Sequence, residues 1–427
     1  MSLTLHILNP SNYCRKGFVE VPWNDICASW QRLHNSKIQS GQIALCQEPG
    51  SIPLPFQIDN KTLSDPILTF QLASHIEPAK SMNCPSIATV ILNNNGPPNI
   101  QGAGPYLDIV RLQSKVLGVK LINSRLEIWF NLTPRLDKDT QNWFSGAATS
   151  VLLDRKEILD PNPLVDWHDL EKRCMQLDKI QLLHPDVGDD QEARICQEVD
   201  LINEPYNLEC HYIGPVRASI VITRDFPFHY QNVDTGKKQE LRCRLFRVIT
   251  INRESDYVIE ELFVEGSPPG TGRSKKPVKL KFIAHYFSYI QSLELKFSKF
   301  QSAPNWFVVS DLNLLPHQAC GVAAESPPIG PTNPHPVYPK LVDNHGPNFP
   351  VSDEMGSFSW ELAPCRLAKS LYVFMRREPQ TDNPPPGKSA IEHFKEQAYG
   401  AKQDFEHRVG RAWHEIFHAP LQAVIQR

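Results

Sequence analysis

Histidine next to tyrosine recurs in this sequence of 427 residues, and one such pair is the first candidate for proton-transfer chemistry. Residues 279–289 alternate in polarity as a β-strand does, and they include His285 and Tyr286. A histidine on a sheet face can accept or donate a proton near neutral pH. We therefore predict His285 and Tyr286 as catalytic residues. The alternative for His285 is a histidine held by hydrogen bonds in a structural interface.

A second pair, His211 and Tyr212, precedes Arg217 near the middle of the chain. Neighbouring side chains on a strand point to opposite faces, so only one member of each pair can face a given cleft. We predict His211, Tyr212 and Arg217 as further catalytic candidates. On the strands that follow, Arg244 and Glu260 are candidates for substrate binding.

A proline-rich segment, residues 325–348, carries a third group of polar and aromatic side chains. A loop of this length in a compact domain is usually functional or disordered. Rigid loops at the edge of a β-sandwich often build a ligand pocket, although ordinary surface chemistry is an equal alternative. We predict a catalytic role for His345 and substrate-binding roles for His335, Tyr338 and Asn344.

The segment His414–His418 matches H-E-x-x-H, in which two histidines one helical turn apart bind zinc and the glutamate activates a water molecule. On the predicted C-terminal helix the apolar face centres on Phe405 and Ile416, and the two histidines lie on the opposite side. We therefore predict a polar helix face here, with no metal site, and we predict no cofactor for the chain.

Three long strands between Tyr206 and Gly266 are expected to hold many of these candidates. Segments 216–223, 240–251 and 256–265 alternate β-branched and aromatic residues with polar ones, which is typical of antiparallel strands with one buried face. The other face, which carries arginine, glutamate and tyrosine, either meets water or presents a platform for a ligand.

Shorter strands are predicted on both sides of this region. Before it they cover residues 4–8, 17–22, 42–47, 67–72, 88–92, 116–121 and 125–132, with a hairpin turn at Asn123–Ser124. After it they cover 278–289, 305–310, 357–362 and 370–376. Residues 161–205 are mostly polar and are predicted to be irregular or of short mixed structure. The 37 prolines and 21 glycines suit a mainly β fold with long loops.

Composition excludes several classes of protein. The net charge is near −3 and the only notable basic cluster, residues 273–276, lies in a loop rich in glycine and proline, so nucleic acid is not a predicted partner. No apolar stretch is long enough for a membrane helix. The N-terminus lacks the features of a signal peptide, and ten cysteines form no C-x-x-C pair, so we predict a cytoplasmic chain with reduced thiols. A mature chain stripped of its leader would have the same sequence features, and the sequence favours no oligomeric state.

Two groups of segments resemble known carbohydrate-active proteins. Residues 17–23 and 52–59 resemble the small β-barrel, related to RIFT barrels, of exo-acting rhamnogalacturonan lyase-like proteins. Residues 142–146, 214–217 and 257–266 are similar to the β-supersandwich of polysaccharide lyases and galactose-mutarotase-like proteins. The resemblance implies a small β-barrel or sandwich domain over residues 1–150 and a β-supersandwich over 151–380. Residues 381–427 would form an amphipathic helix that docks on the β domain.

This resemblance implies an enzyme that acts on a uronate-containing or related sugar as a lyase or a hydrolase, with the lyase favoured. In β-elimination a tyrosine or histidine removes the proton next to the uronate carboxyl group, while arginine or asparagine neutralises the developing charge. A hydrolase requires two carboxylates at a set separation, and Glu260 and Glu261 face opposite ways on one strand. A non-catalytic carbohydrate-binding β-protein and a small-molecule isomerase or cyclase are the alternatives.

Overall fold

The structure is a computed structural model that describes residues 1–59, 65–81, 84–94, 104–113, 115–133, 145–146, 148–157, 175–183, 195–200, 205–231, 238–265, 279–286, 306–310, 318–324, 339–341, 356–362, 368–376 and 384–426. The described strands within residues 175–200 and 279–362 are defined by their backbone alone.

Strands dominate the described residues, as the sequence predicts. The strands are β1 (Ser2–Asn9), β2 (Phe18–Pro22), β3 (Ala44–Glu48), β4 (Ile52–Pro53), β5 (Phe56–Asp59), β6 (Ile67–Gln71), β7 (Ser86–Asn93), β8 (Tyr106–Leu112), β9 (Lys115–Ile122), β10 (Leu126–Asn131), β11 (Ala148–Leu153), β12 (Lys156–Glu157), β13 (Met175–Leu183), β14 (Ile195–Asp200), β15 (Asn207–Ile213), β16 (Arg217–Gln231), β17 (Lys238–Asn252), β18 (Tyr257–Glu265), β19 (Lys279–Tyr286), β20 (Trp306–Ser310), β21 (Gln318–Ala324), β22 (Pro339–Leu341), β23 (Gly356–Leu362), β24 (Ala368–Arg376) and β25 (Gln422–Ile425). Two α-helices, α1 (Trp23–His34) and α2 (Ala390–Trp413), a 3-10 turn (Ser40–Gln42) and a π-helical turn (His414–His418) complete the described elements.

Four sheets contain these strands. Sheet A has the order β25-β1-β7-β3-β4, and sheet B has the order β2-β6-β5. Sheet C has the order β22-β23-β19-β13-β11-β10-β9-β8, with β12 beside β11 and β14 beside β13. Sheet D has the order β15-β16-β17-β18-β24-β21-β20. The predicted mainly antiparallel β fold with one long C-terminal helix is confirmed.

The chain divides into two compact units. Unit 1 comprises Met1–Tyr106, Tyr212–Ala218 and His414–Arg427, and unit 2 comprises Leu107–His211 and Ser219–Trp413. Unit 1 therefore takes a short central segment and the C-terminal segment in addition to the N-terminal residues. The boundaries near residues 150 and 380 stay predictions about folding domains.

Unit 1 has a single hydrophobic core beneath sheets A and B. Alternate residues of β1 are buried, among them Leu3, Leu5 and Ile7, so one face of this strand points into the core. Helix α1 adds Ile26 and Trp30, which are one turn apart and both buried. Strand β25 pairs with β1, so the C-terminal segment completes sheet A.

Unit 2 contains sheet C and sheet D, except for the ends of β15 and β16 that belong to unit 1. The side chain of Asn123, in the predicted β9–β10 turn, donates to the backbone oxygens of Asn252 (2.6 Å) and Ser255 (2.9 Å) in the turn between β17 and β18. The same side chain accepts from the backbone nitrogens of Arg125 and Leu126, which shapes its own turn. Asn123 thus joins a hairpin of sheet C to a hairpin of sheet D.

Several local predictions were wrong. Helix α1 was not predicted, because the segment after Pro22 carries no side-chain cap at its N-terminus and its apolar stripe is short. Residues 161–205 were predicted to be irregular or of short mixed structure, yet β13 and β14 are strands of sheet C. In the proline-rich segment, β22 is a short strand, and the remaining residues of that segment lie outside the described part of the chain.

The predicted half-buried character of the three central strands also needs correction. Consecutive residues of β17 from Phe246 to Ile251 are buried, so both faces of this strand are covered along that stretch. A polar side chain on such a strand must find its partner inside the protein, because water cannot reach it. Arg247 is the clearest case.

Candidate functional site

The first cluster of charged side chains surrounds Arg217, the first residue of β16, within unit 1. Its side chain is 2% exposed, and its guanidinium makes two hydrogen bonds to Asp59, of 2.8 Å and 2.6 Å, and an ion pair with Glu20. Gln57 accepts hydrogen bonds from the backbone nitrogens of Val216 (3.1 Å) and Arg217 (2.8 Å) and donates to Asp59 (2.8 Å). The side chains of sheet B thus bind this central segment.

The electrostatics of this cluster are those of a closed ion pair. Burial on its own would lower the pKa of the Arg217 guanidinium, but its hydrogen bonds with Asp59 and the charges of Asp59 and Glu20 outweigh burial and raise it. A guanidinium with both of its edges on carboxylates has little charge left to offer a substrate. The predicted catalytic role of Arg217 stays a prediction, and the geometry describes a structural pair.

The second cluster surrounds Arg247 on β17, within unit 2. Its guanidinium donates to Glu260 at 2.6 Å and to the backbone oxygen of Gly146, and it lies 5.7 Å from the ring centroid of Tyr206. Glu260 also accepts a hydrogen bond of 2.8 Å from the hydroxyl of Tyr372. All of these side chains are buried, so a ligand in solvent cannot reach Glu260.

Burial and the neighbouring charges shift the pKa values of Arg247 and Tyr206. Burial alone would lower the pKa of Arg247, and the charge of Glu260 more than compensates, so the pKa is raised. Burial also raises the pKa of Tyr206, against the opposing charges of Arg247 and Arg224. The cluster therefore holds a charged Arg247 and a neutral Tyr206 in the interior of unit 2.

An exposed group of charged residues crosses the same sheet. The guanidinium of Arg244 on β17 makes two hydrogen bonds, of 2.6 Å and 3.1 Å, to the carboxylate of Asp225 on β16. The two side chains are 42% and 56% exposed, which leaves the pair open to solvent. Glu265 on β18 lies directly opposite Arg244, and Glu209 on β15 interacts with it electrostatically. We call Glu209, Asp225, Arg244 and Glu265 the charged row.

The charged row has a defined register on one face of sheet D. Ser219 and Thr250, 2.8 Å apart, form a cross-strand pair of β16 and β17. Asp225 lies six residues after Ser219 on β16, and Arg244 lies six residues before Thr250 on β17. In an antiparallel pair these two positions lie opposite each other. All these side chains therefore share one face, which we call the Arg244 face. Arg247 is three residues from Arg244 on β17, so its side chain lies on the opposite face of the sheet.

Two phenylalanines lie beside the charged row. Phe246 and Phe263 are cross-strand partners, their ring centroids are 6.1 Å apart, and their planes are tilted by 59°. Each is two residues from a member of the row, Arg244 or Glu265, so the rings lie on the Arg244 face. Phe246 is buried and Phe263 is partly exposed. The row therefore has an apolar neighbour on the same surface.

Charge lowers or raises the pKa values within the row. The hydrogen bond from Arg244 lowers the pKa of Asp225, and the charges of Arg244 and Arg242 act in the same direction. The hydrogen bond with Asp225 raises the pKa of Arg244, with further contributions from Glu209 and Glu265. Asp225 and Arg244 are therefore both charged at neutral pH.

Some predicted site residues lie near the row, and others lie elsewhere. His211 is exposed and is two residues from Glu209 on β15, so it shares the Arg244 face, whereas Tyr212 points to the opposite face. His285 and Tyr286 end β19, and their side chains lie outside what the structure describes. The predicted residues of the proline-rich segment also lie outside the described residues: His335, Tyr338, Asn344 and His345.

The H-E-x-x-H segment forms a π-helical turn, which starts where α2 ends, instead of continuing the predicted helix. The rings of His414 and His418 are 5.0 Å apart, and Tyr13 lies 5.8 Å from His414. The guanidinium of Arg15 donates to the backbone oxygens of Glu415, at 2.8 Å, and Ala419. Among the described residues, no three His, Cys, Asp or Glu side chains come together in a way that could hold a metal ion.

Two features of the site were not predicted from the sequence. Asp225 was not singled out, although it precedes a Phe–Pro–Phe–His run in a strand that alternates in polarity. The buried pairing of Arg247 with Glu260 was also missed. A signal for it exists, because an arginine within the apolar run 245–251 is a sign of a strand covered on both faces.

Comparisons with known proteins yield structural neighbours only. No protein-family model and no curated protein matches the sequence. Two solved structures from Enterococcus faecalis align with the whole chain at 10% sequence identity. One is an alpha-mannosidase from strain V583, with a TM-score of 0.47 and 46% of its chain covered. The other is a protein in glycosyl hydrolase family 38, with a TM-score of 0.45 and 47% covered. The chain therefore spans about half the length of these neighbours.

The described part of the chain contains no helix that combines the length and apolar character needed to cross a membrane.

Proposed function

We propose that the Arg244 face of sheet D binds a neutral carbohydrate. The observation that carries this proposal is the exposed Asp225–Arg244 pair, held between Glu209 and Glu265 and next to Phe263. The row is accessible, unlike the buried clusters around Arg217 and Arg247. It is also held in a fixed geometry by four adjacent strands.

The chemistry of the row suits a polyol. Ionised carboxylates accept hydrogen bonds from hydroxyl groups, and a guanidinium donates several in a fixed plane. Sugars present many hydroxyls and few apolar patches, and the partly exposed ring of Phe263 offers an apolar surface beside the polar groups. The sheet holds these side chains before a ligand arrives, which reduces the entropic cost of binding.

The charge of the row favours a neutral sugar over a uronate. Three carboxylates, of Glu209, Asp225 and Glu265, stand against the guanidinium of Arg244 and that of the neighbouring Arg242, so the formal net charge of this surface is −1. A second negative charge at about 4 Å costs roughly 1 kcal/mol in water and more near a protein surface. A uronate carboxylate would meet this repulsion, and a neutral sugar would not.

Lyase or hydrolase activity stays a prediction beside this proposal. The two structural neighbours are a mannosidase and a glycosyl hydrolase by their titles, and those activities belong to those proteins. Their similarity to this chain is too low to support a transfer of activity, so the proposal rests on the charged row alone. An absorbance assay at 235 nm with uronate oligosaccharides tests the predicted elimination separately.

Isothermal titration calorimetry with a panel of neutral oligosaccharides tests the proposal. We expect at least one neutral ligand to bind, and Asp225→Ala to weaken it by about tenfold through loss of a charge-assisted hydrogen bond. Asp108→Ala is the matched control, because Asp108 is an exposed carboxylate on β8 of sheet C, outside the row. A panel without any binding ligand, or equal losses in both variants, would overturn the proposal.

A further inference from the structure

Trp129 on β10 is a partly exposed tryptophan on one face of sheet C, in unit 2. Its cross-strand partners are Lys120 on β9 and Ser150 on β11, so these three side chains form one row across the sheet. The residues on either side of it, Ile128 and Phe130, are buried and point to the opposite face. Trp129 therefore stands on the more exposed of the two faces of these strands.

The indole ring of Trp129 is held in a fixed orientation. Its Nε1–H donates to the side-chain oxygen of Asn131 at 2.7 Å. A Cβ atom on Gly118 would lie 3.0 Å from Cζ2 of the ring, so the indole packs against β9 where that strand carries no side chain. Asn131 is 2% exposed, and its side-chain nitrogen has no hydrogen-bond partner among the described residues. An unpaired buried amide is unfavourable, and the one bond that this side chain makes orients the indole.

The charges beside the indole ring cancel. The ammonium of Lys120 lies 5.8 Å from the ring centroid of Trp129 and 2.6 Å from the carboxylate of Glu127. The Lys120 and Glu127 side chains are 28% and 32% exposed, so a ligand in solvent can reach both. Lys120 already supplies the cation that an aromatic ring attracts, and a cationic ligand would have to displace it. A phosphate would meet no excess of positive charge here. The site therefore favours a neutral ligand.

We propose that Trp129 is a platform on which a pyranose ring of a neutral sugar stacks, while Lys120 and Glu127 bond its hydroxyl groups. A pyranose ring presents C–H groups on its faces, which suit the negative face of an aromatic ring, and hydroxyls at its rim. The ammonium donates to such hydroxyls and the carboxylate accepts from them. An indole that is already oriented loses little conformational freedom on binding. The inference does not depend on the Arg244 face, because the platform lies on another sheet and shares no residue with the charged row.

Nuclear magnetic resonance of the full chain, with isotope-labelled tryptophan, tests the platform without any loss of its side chains. The probes are cellohexaose, xylohexaose and mannohexaose, which are neutral chains of pyranose rings. The Nε1–H resonance of Trp129 is identified by its absence from the spectrum of Trp129→Phe. We expect at least one probe to shift this resonance until it saturates. A Trp129 resonance that none of the probes moves would overturn the proposal.

Calorimetry with the same probes separates the platform from the charged row. In the Asp225→Ala background we expect Trp129→Ala to raise the dissociation constant of the bound probe by about tenfold, and Trp129→Phe, which keeps an aromatic ring, to raise it less. Ile87→Ala is the control, because Ile87 is an exposed apolar residue on β7 of sheet A. Binding that Asp225→Ala abolishes and Trp129→Ala leaves unchanged would overturn this inference and leave the proposed function standing.

Discussion

At the scale of single residues, Arg217 and Arg247 show how buried charge is tolerated in this protein. Each guanidinium faces a carboxylate at hydrogen-bond distance, Asp59 in one case and Glu260 in the other. Desolvation of a charge costs several kcal/mol, and a paired carboxylate with further hydrogen bonds offsets that cost. Replacing one partner of such a buried pair is therefore expected to destabilise the fold more than replacing both partners.

The Arg247–Glu260 pair gives a direct test of this statement. We expect Arg247→Met to lower the free energy of unfolding by about 3–5 kcal/mol, because it leaves the carboxylate of Glu260 buried without its counter-ion. The double variant Arg247→Met with Glu260→Gln is expected to be more stable than the single variant. Urea denaturation followed by circular dichroism measures both. A double variant less stable than Arg247→Met alone would show that the lone charge is not the main cost.

His414 makes a prediction about pH. Burial lowers its pKa, and the charges of His418 and Arg15 lower it further, against the charge of Glu415. The unfolded chain therefore takes up a proton as the pH falls through about 6.5, before the folded chain does, so stability falls with acid in that window and is fully present above it. We expect His414→Gln to reduce the decrease in melting temperature between pH 7.5 and 5.5. His407→Gln, at an exposed position of α2, is the control, and an unchanged decrease in the His414 variant would contradict the account.

Residue roles were predictable only where the determinants are local. Strand alternation placed His211 and Tyr212 on opposite faces in advance, because the period of two is a property of the strand itself. The burial of Arg217 was not predictable, because its partner Asp59 is 158 residues away in sequence. Asp225 was not predictable as a site residue either, because its pairing with Arg244 depends on the register between β16 and β17.

At the scale of elements, the β9–β10 hairpin illustrates a strong local signal with a non-local consequence. Asn123 and Ser124 predicted the turn, and the structure confirms it. The side chain of Asn123 also forms hydrogen bonds with the β17–β18 turn, a contact that could not be predicted from the local sequence. The same asparagine therefore shapes one hairpin and attaches it to another.

Substitution of Asn123 measures how much its hydrogen bonds between the two hairpins contribute to the free energy of unfolding. We expect Asn123→Ala to lower the free energy of unfolding of unit 2 by about 2–4 kcal/mol, because hydrogen bonds to two carbonyl oxygens and from two backbone nitrogens are lost. Ser124→Ala, an exposed position in the same turn, is the control and is expected to change stability by less than about 0.5 kcal/mol. Chemical denaturation monitored by tryptophan fluorescence distinguishes the two. Equal effects would show that Asn123 acts only through its own turn.

Element prediction failed where tertiary context decides. The polar composition of residues 161–205 argued against strands, and β13 and β14 form there because neighbouring strands of sheet C supply their hydrogen bonds. The predicted C-terminal helix ends at Trp413, and β25 joins β1 of sheet A instead. In both places the backbone partners lie far away in the chain.

At the scale of the whole molecule, the chain crosses between its two units four times, and the short central segment 212–218 belongs to unit 1. The compact units are therefore discontinuous in sequence, and the predicted domain boundaries near residues 150 and 380 stay predictions. The Gln57, Asp59 and Glu20 side chains that bind this segment explain why it belongs to unit 1.

The charged row of sheet D is an exposed group of charged residues in the described chain, and we propose that it prefers a neutral sugar. The most direct test compares the dissociation constants of one oligosaccharide in its neutral form and in its uronate form at low salt. We expect tighter binding of the neutral form, with a difference in dissociation constants that shrinks as salt screens the row. Tighter binding of the uronate form would contradict the proposal and would favour the predicted elimination chemistry instead.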